Sequence, residues 1–380
     1  MVRASIAHKT TIAQRNIDCD TRRSSLQTVA RGGVTRQCGS GHPHRLGRRS
    51  NAQGVLVPGS SKAADQGACG SVACEARRVA QHAMEGLTVE YVVMPIRQDP
   101  PAAWAMVRES EGWHGIGVGD HWYIEGVPGI NHPFVALGVM AASTKNVALA
   151  TLFANNLVRS PVELALASLT MHAVSGGRFE LGLGAGWARQ ELVSAGLAYP
   201  EPRERARRLH EAVQVVRQLF RGGCQFEGEY YRVDLPAIGP AVADPPRITA
   251  ALGGRWTMDH IGPLVDTIEV APHAATLRGG EIDFEVLGRL TSDELRTLVA
   301  RARDANPAAR VGLSLYTAAG AGRGVDYFAQ QYKGGAFAGM AGPPAQVAYS
   351  LNQLSALGVD RITAMPVAGR TEDLAAALFA

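Results

Sequence analysis

From Leu87 to the C-terminus, short runs of β-branched and aliphatic residues alternate with helical patterns, and this alternation restricts the fold more than any other feature. The runs are Val89–Met94, Gly115–Gly119, Val147–Leu152, Phe179–Leu183, Ile248–Leu252, Thr267–Val270, Val311–Leu315 and Arg361–Met365. Each has the length and composition of a strand. Eight strands alternating with helices predict an α/β fold with a parallel sheet. Roughly 300 residues for eight units predict that the sheet closes into a (β/α)8 TIM barrel rather than an open doubly wound sheet.

Start and stop signals place the helices. Ser160, Pro161 and Glu163 combine a hydroxyl cap, a first-turn proline and the glutamate of a capping box, and Thr291 with Glu294 repeats the box. After Pro202, Ala206, Leu209, Val213, Val216 and Phe220 fall on one face, with Arg205, Arg207, Arg208 and Arg217 mostly elsewhere. Val347, Leu351, Leu354 and Leu357 repeat the pattern, with Gly358 as the C-terminal stop. Two stretches depart from a plain barrel. Cys224–Val233 reads as a hairpin, and Pro272–Thr291 is a long insertion after the sixth strand, a candidate lid.

The first 90 residues contain no Phe, Trp or Tyr and are rich in Arg, Ser, Gly, Gln and Ala, so they lack the apolar surface that offsets the entropy of ordering a chain. Residues 1–83 are therefore expected to be a disordered basic tail, and residues 84–380 the barrel domain. An Arg-rich, Ser-rich, acid-poor leader suits organelle targeting; the simpler expectation is that translation begins at Met84. The tail holds 13 Lys+Arg against 4 Asp+Glu, the remainder 25 against 30. A mildly acidic body offers no attraction to phosphate backbones, so no nucleic-acid partner is expected. No apolar run is long enough to span a membrane and no secretory leader is apparent, so a soluble, cytoplasmic protein is expected. Cys19, Cys38, Cys69 and Cys74 lie in the tail and only Cys224 in the body, without disulfide or zinc spacing, and no metal is expected.

The stretch GRFELGLGAGW (177–187) bares the backbone at Gly182, Gly184 and Gly186 and closes on Trp187. It sits where a strand ends and a helix begins, the face on which barrels build their sites. A third glycine of G-x-G-x-x-G would fall at Arg189, so it is not a dinucleotide fingerprint, and no G-K-[ST] follows. Two explanations remain: backbone amides approach something flat or anionic, or the glycines allow close packing inside the barrel.

GGRFELGLGAGWARQE (176–191) with PEPRERARRLHEAVQVVRQLF (200–220) resembles the luciferase-like monooxygenase superfamily, and within it the branch that uses the deazaflavin coenzyme F420. GDHWY (119–123), ATLFANNLVRSPVELA (150–165), PPRITAALGG (245–254) and GPPAQVAYSLNQLSALGVDRI (342–362) support the likeness, which covers nearly all of residues 87–380. The resemblance implies a barrel with a flavin or deazaflavin ring across its C-terminal mouth. It implies that Gly184, Ala185, Gly186 and Trp187 contact the cofactor, that the helix from about Ala188 turns its amides toward the anionic tail, and that Gly253 and Gly254 hold the phosphate. Asn155 and Asn156 either bond the cofactor's polar edge or form a loop turn.

Asp120 and His121, after the second strand, form a candidate acid–base pair near neutral pH. In similar deazaflavin dehydrogenases the matching histidine exchanges the substrate's hydroxyl proton. The blander alternative is that Asp120 caps a loop while the imidazole packs under Trp122. Some sugar-phosphate dehydrogenases of the branch carry an acidic residue where this chain has Trp187, which weakens a sugar-phosphate reading and favours an aromatic wall. His132, His172 and His210 have no metal spacing, and nothing favours Glu125 with Glu191 as a glycosidase pair.

The expected protein is thus an F420-dependent oxidoreductase that transfers a hydride to or from a small organic substrate, as a homodimer. The alternatives are an FMN-dependent monooxygenase served by a partner flavin reductase, a non-catalytic cofactor-binding barrel, or an interaction protein acting through the tail. The substrate is expected to be set by the loops after the first, sixth and seventh strands, including 283–290 and 320–339.

Overall fold

The computed structural model describes residues 89–94, 100–124, 127, 129–272, 274 and 280–380; the expected tail, residues 1–83, lies outside them. In chain order the elements are β1 (Glu90–Val93), α1 (Pro101–Ser110), β2 (Gly115–Val118), α2 (Pro133–Ser143), β3 (Ala148–Thr151), β4 (Ala154–Asn155), α3 (Pro161–Val174), β5 (Phe179–Gly184), α4 (Arg189–Ser194) and α5 (Pro202–Phe220). They continue with β6 (Cys224–Glu227), β7 (Arg232–Leu235), β8 (Arg247–Leu252), α6 (Arg255–Ile261), β9 (Thr267–Val270), α7 (Phe284–Gly288) and α8 (Ser292–Ala305). The last are β10 (Arg310–Ala319), α9 (Arg323–Gln331), β11 (Ala341–Gly342), α10 (Pro344–Leu354), β12 (Arg361–Gly369) and α11 (Thr371–Leu378).

Strands β1, β2, β3, β5, β8, β9, β10 and β12 pair in that order, all parallel, and β12 returns to β1, which closes the TIM barrel. Every expected strand is one of these eight. The short β4 and β11 add to the rim of the same sheet. The hairpin is present as β6 and β7, two residues longer than the sequence suggested. Glu211 of α5 anchors it by accepting the backbone N–H groups of Glu229, Tyr230 and Tyr231 at 2.8–3.0 Å.

The expected caps form. Ser160 Oγ accepts from Glu163 N–H at 3.1 Å, and Thr291 and Glu294 complete a reciprocal box. Arg178, in the GRF of the glycine run, donates to the carbonyls of Ala141, Thr144 and Val147, satisfying the C-terminal end of α2 and the loop before β3. One expectation fails on α5. Arg205 is buried, because its guanidinium turns back to donate to Pro200 O at 2.9 Å and lies 4.3 Å from the centre of the Tyr199 ring, while Ala206 and Phe220 are only partly covered.

Inside the barrel, the N-terminal ends of the strands carry ions instead of apolar side chains. Arg361 bridges Glu180 and Glu269 at 2.8 Å each, and Arg310 bridges Glu180 and Glu90 at 2.7 Å each. Ser314 Oγ completes Glu269 at 2.6 Å. Burial opposes ionisation of Glu180, yet the charges of Arg361 and Arg310 hold its carboxyl below the usual range.

Replacing Arg361 with Leu leaves Glu180 short of a partner and Glu269 without the only cation that pairs with it among the described residues, at a cost of about 3–5 kcal/mol, read as a lower urea midpoint. In the wild type, the lowered Glu180 contributes stability above the unfolded carboxylate range, which is lost as pH falls through its folded value. In the variant, protonation relieves an unpaired buried charge, so the deficit against wild type shrinks in acid. A deficit independent of pH would contradict this.

Candidate functional site at the barrel mouth

The C-terminal ends of β2, β3 and β5 converge on one side of the rim. The glycines there answer first to packing. A Cβ on Gly117 would overlap Leu152, one on Gly182 the Thr151 carbonyl, and one on Gly184 would press at 3.1 Å on Phe153. After β3 the chain therefore turns Leu152 and Phe153 into room that bare backbone on β2 and β5 leaves open. Gly186 has φ +76, and a Cβ there would come within 2.6 Å of Asn155 Oδ1 and 2.8 Å of Leu157. Close packing, the second of the two explanations offered for the glycines, is thus present.

Asp120 and His121 do not face each other as a pair. The fully buried Asp120 carboxylate accepts Arg159 Nε at 2.7 Å, Arg159 Nη2 at 2.9 Å and the Asn155 amide at 3.0 Å. This bidentate pairing holds the Arg159 guanidinium charged although burial opposes it. The carboxylate facing His121 belongs to Glu191, in the first turn of α4: its Oε2 lies 3.0 Å from His121 Nδ1, and its Oε1 accepts the Trp122 N–H and, at 3.3 Å, the Tyr123 N–H. The Glu191 side chain is 2% exposed and the His121 side chain 18%. The imidazole packs not under Trp122 but edge-on to Trp187, with centroids 5.3 Å apart.

Asn155 is committed to its own loop, with Oδ1 accepting the Leu157 amide at 3.0 Å. Asn156 is buried, accepts the Tyr231 hydroxyl of the hairpin at 3.2 Å, and has no partner for Nδ2 among the described residues. Such an uncompensated buried donor is costly and suits a bound acceptor. Ala185 and Trp187 are partly exposed between these groups.

The amides expected to receive an anion are partly engaged. Arg189 N–H, which opens α4, donates to Gly280 O of the insertion at 3.2 Å, and Gly254 N–H donates to Thr257 Oγ1 at 3.2 Å. A Cβ on Gly253 would overlap Ala274 of the insertion. Beside Gly254, however, a cleft of about 920 Å³ is lined by Arg203, Arg207, Arg255 and Trp256. It joins the starts of α5 and α6; Glu201 also lines it, and Arg207 and Arg255 lie 3.7 Å from Glu229 and Asp259, so the guanidinium groups outnumber the lining carboxylate and leave a net positive rim that suits an anion.

Four other histidines make contacts away from the His121 imidazole. His132 contacts Arg159 and His172 contacts the Phe179 carbonyl, while His210 and His260 flank Trp256. Among the described residues, no group of His, Cys, Asp and Glu could hold a metal, and no helix is long and apolar enough to cross a membrane. Glu125 lies outside the described residues.

Because Asp120 is enclosed with Arg159, Asp120→Asn is expected to act on stability: it strands a half-buried guanidinium, costs about 3 kcal/mol and lowers the thermal midpoint, while protein that folds keeps most of its turnover. Loss of turnover at an unchanged midpoint would return Asp120 to the chemistry.

Residues 86–287 match the family described as luciferase-like monooxygenase. The chain is 35% identical over 170 residues to an F420-dependent glucose-6-phosphate dehydrogenase of Nakamurella multipartita, covering 43% of this chain and 49% of that protein. It thus spans about half the length of the curated relatives it matches. In fold it is similar to an F420-dependent secondary alcohol dehydrogenase in complex with an F420-acetone adduct (TM-score 0.59, 15% identity, 77% of this chain and 97% of that one). It is likewise similar to the monooxygenase RslO1 from Streptomyces bottropensis (TM-score 0.60, 17% identity, 76% and 96%). With its closed barrel and a family match over more than half its length, the chain belongs to the luciferase-like monooxygenase family.

Proposed function

We propose that the chain is an F420-dependent oxidoreductase that moves a hydride between the deazaflavin and a small organic substrate, with His121 exchanging the proton. The observation that carries this reading is a partly exposed imidazole at the mouth, backed by a buried carboxylate and walled by an indole. The 35% identity to an F420-dependent dehydrogenase supports the choice of coenzyme. The substrate is left as a class, an alcohol or carbonyl compound, since Trp187 stands where sugar-phosphate enzymes of the branch carry an acid.

The residues present fit the coenzyme in two places. Arg203, Arg207 and Arg255 supply positive charge beside Gly254 for a phosphate, and Asn156 offers an unused buried donor beside the glycine run. When bound, the deazaflavin supplies the hydride donor or acceptor. The chain's own task is the proton: His121 takes it from a hydroxyl or returns it to a carbonyl oxygen, and Trp187 and Phe153 keep the surroundings apolar.

The pairing of two copies fits an apolar outer face. Helix α2 carries no charged residue, exposes Val135 and Val139, and packs beside α1, which exposes Met106 and Val107. Such a face suits a second copy of the same face in a two-fold dimer. Val135→Glu with Val139→Glu is expected to convert a sedimenting dimer into a monomer; a wild-type monomer would refute the pairing.

Titration of the purified protein with F420 and with FMN tests the coenzyme. F420 is expected to bind, and its reduced form to persist in air. Arg207→Ala with Arg255→Ala is expected to weaken binding about tenfold, roughly 1.4 kcal/mol, with a shallower salt dependence. Binding of FMN alone, with its reduced form rapidly consumed by oxygen, would favour the monooxygenase served by a flavin reductase. Full turnover by His121→Ala in an alcohol and carbonyl screen would remove His121 from the chemistry.

A further inference from the structure

We propose that Glu191 is the positioning residue of His121: it holds a proton on Nδ1 and so makes Nε2 the nitrogen that exchanges a proton at the mouth. The inference deepens the reading of His121 as proton partner and rests on it for its catalytic half. Its structural half stands on geometry alone.

The two oxygens of Glu191 are divided. Oε1 is occupied by the backbone amides of Trp122 and Tyr123, which can only donate. Oε2 faces His121 Nδ1 at 3.0 Å. A carboxylate is an acceptor on both oxygens, so a neutral imidazole meets it favourably only with hydrogen on Nδ1. The lone pair then sits on Nε2, which has no hydrogen-bond partner among the described residues. When Nε2 gains a proton, the resulting cation lies against a buried carboxylate, and no Arg or Lys among the described residues pairs with Glu191 to compete for it. One contact fixes the ring from another side: the Trp187 indole, edge-on with centroids 5.3 Å apart. Orientation and tautomer are therefore set before substrate arrives, which is how a base oriented by a third group gains its advantage.

The discriminating variant is Glu191→Gln. The Trp122 and Tyr123 amides need an acceptor, so they fix the glutamine carbonyl on their side and turn its NH2 group toward His121. That NH2 donates to Nδ1, the imidazole hydrogen moves to Nε2, and the exchanging nitrogen loses its lone pair. Loop and helix remain joined, so the fold is kept while the tautomer inverts.

Nitrogen NMR of the full chain labelled in histidine, above neutral pH and without coenzyme, reads the tautomer directly, with the His121 signal identified by its disappearance in His121→Gln. The wild type is expected to carry hydrogen on Nδ1, and Glu191→Gln on Nε2. In turnover, Glu191→Gln is expected to lose about 100-fold or more in kcat with KM for both substrates within a few-fold of wild type. Hydrogen on Nε2 in the wild type overturns the proposal without needing any folded variant, and so does wild-type kcat in Glu191→Gln where His121→Gln is itself impaired. Failure of the underlying reading looks different: the tautomers are as expected but His121→Gln turns over normally. Glu191 then orients a ring that the reaction does not use, and its catalytic half falls while the tautomer assignment stands.

Discussion

The mouth of this barrel has its form because Leu152 and Phe153 turn inward at the end of β3. Two large side chains enter a closed ring of parallel strands only where neighbouring strands have none, and Gly117 of β2 with Gly182 and Gly184 of β5 supply that room. Below this plug the interior is held by Arg361, Arg310, Glu180 and Glu269 instead of by layered aliphatic side chains. With floor and middle both filled, chemistry is confined to the rim. The polar groups of interest, His121, Asn156 and Glu191, all follow strand ends there.

Two carboxylates beside that rim show how neighbours assign a role that residue type does not. Asp120 and His121 are adjacent in sequence, but successive residues of an extended chain point opposite ways. Asp120 is carried to Arg159 and the start of the Asn155 loop, where a guanidinium grips both of its oxygens. Glu191 sits in the first turn of α4, where a negative charge suits the helix N-terminus, and meets one titratable ring and two amides. The first environment locks a charge in place. The second leaves one carboxylate oxygen facing a ring instead of a fixed charge.

This contrast also explains which parts of the molecule could be read from sequence. Strands, caps and the hairpin are local, encoded within a few residues by periodicity and turn chemistry, and all eight strands and the Ser160 and Thr291 caps were legible. The contact between His121 and Glu191 spans 70 residues and is created by the pairing of β2, β3 and β5, so no spacing announces it. The one local hint was an acidic residue in the turn after the glycine–tryptophan run. Arg205 departs from its helical pattern for a related reason: periodicity assigns a face to a side chain's root, whereas a long arginine can fold back over Tyr199 and bury its charge against a carbonyl. The glycine run was legible as a close approach, but sequence did not say of what, and much of the answer is the chain's own Phe153 and Leu157.

The family match ends at Leu287, before β10 begins at Arg310. The matched part contains the plug, the His121 and Glu191 contact, the hairpin reaching Asn156, and the arginine cleft, which is everything assigned above to coenzyme and proton. Outside it lie β10, β11, β12 and their rim loops, including the segment between β10 and β11 that ends at Ala341. A barrel builds its pocket from all eight strand ends, so the groups assigned to coenzyme and proton account for one side of the mouth and the later strand ends for the other. On that other side Phe284, Tyr316 and Phe328 pack edge to face against the core, so the last strand ends of the mouth rest on an aromatic layer where the first ones rest on the Leu152 and Phe153 plug.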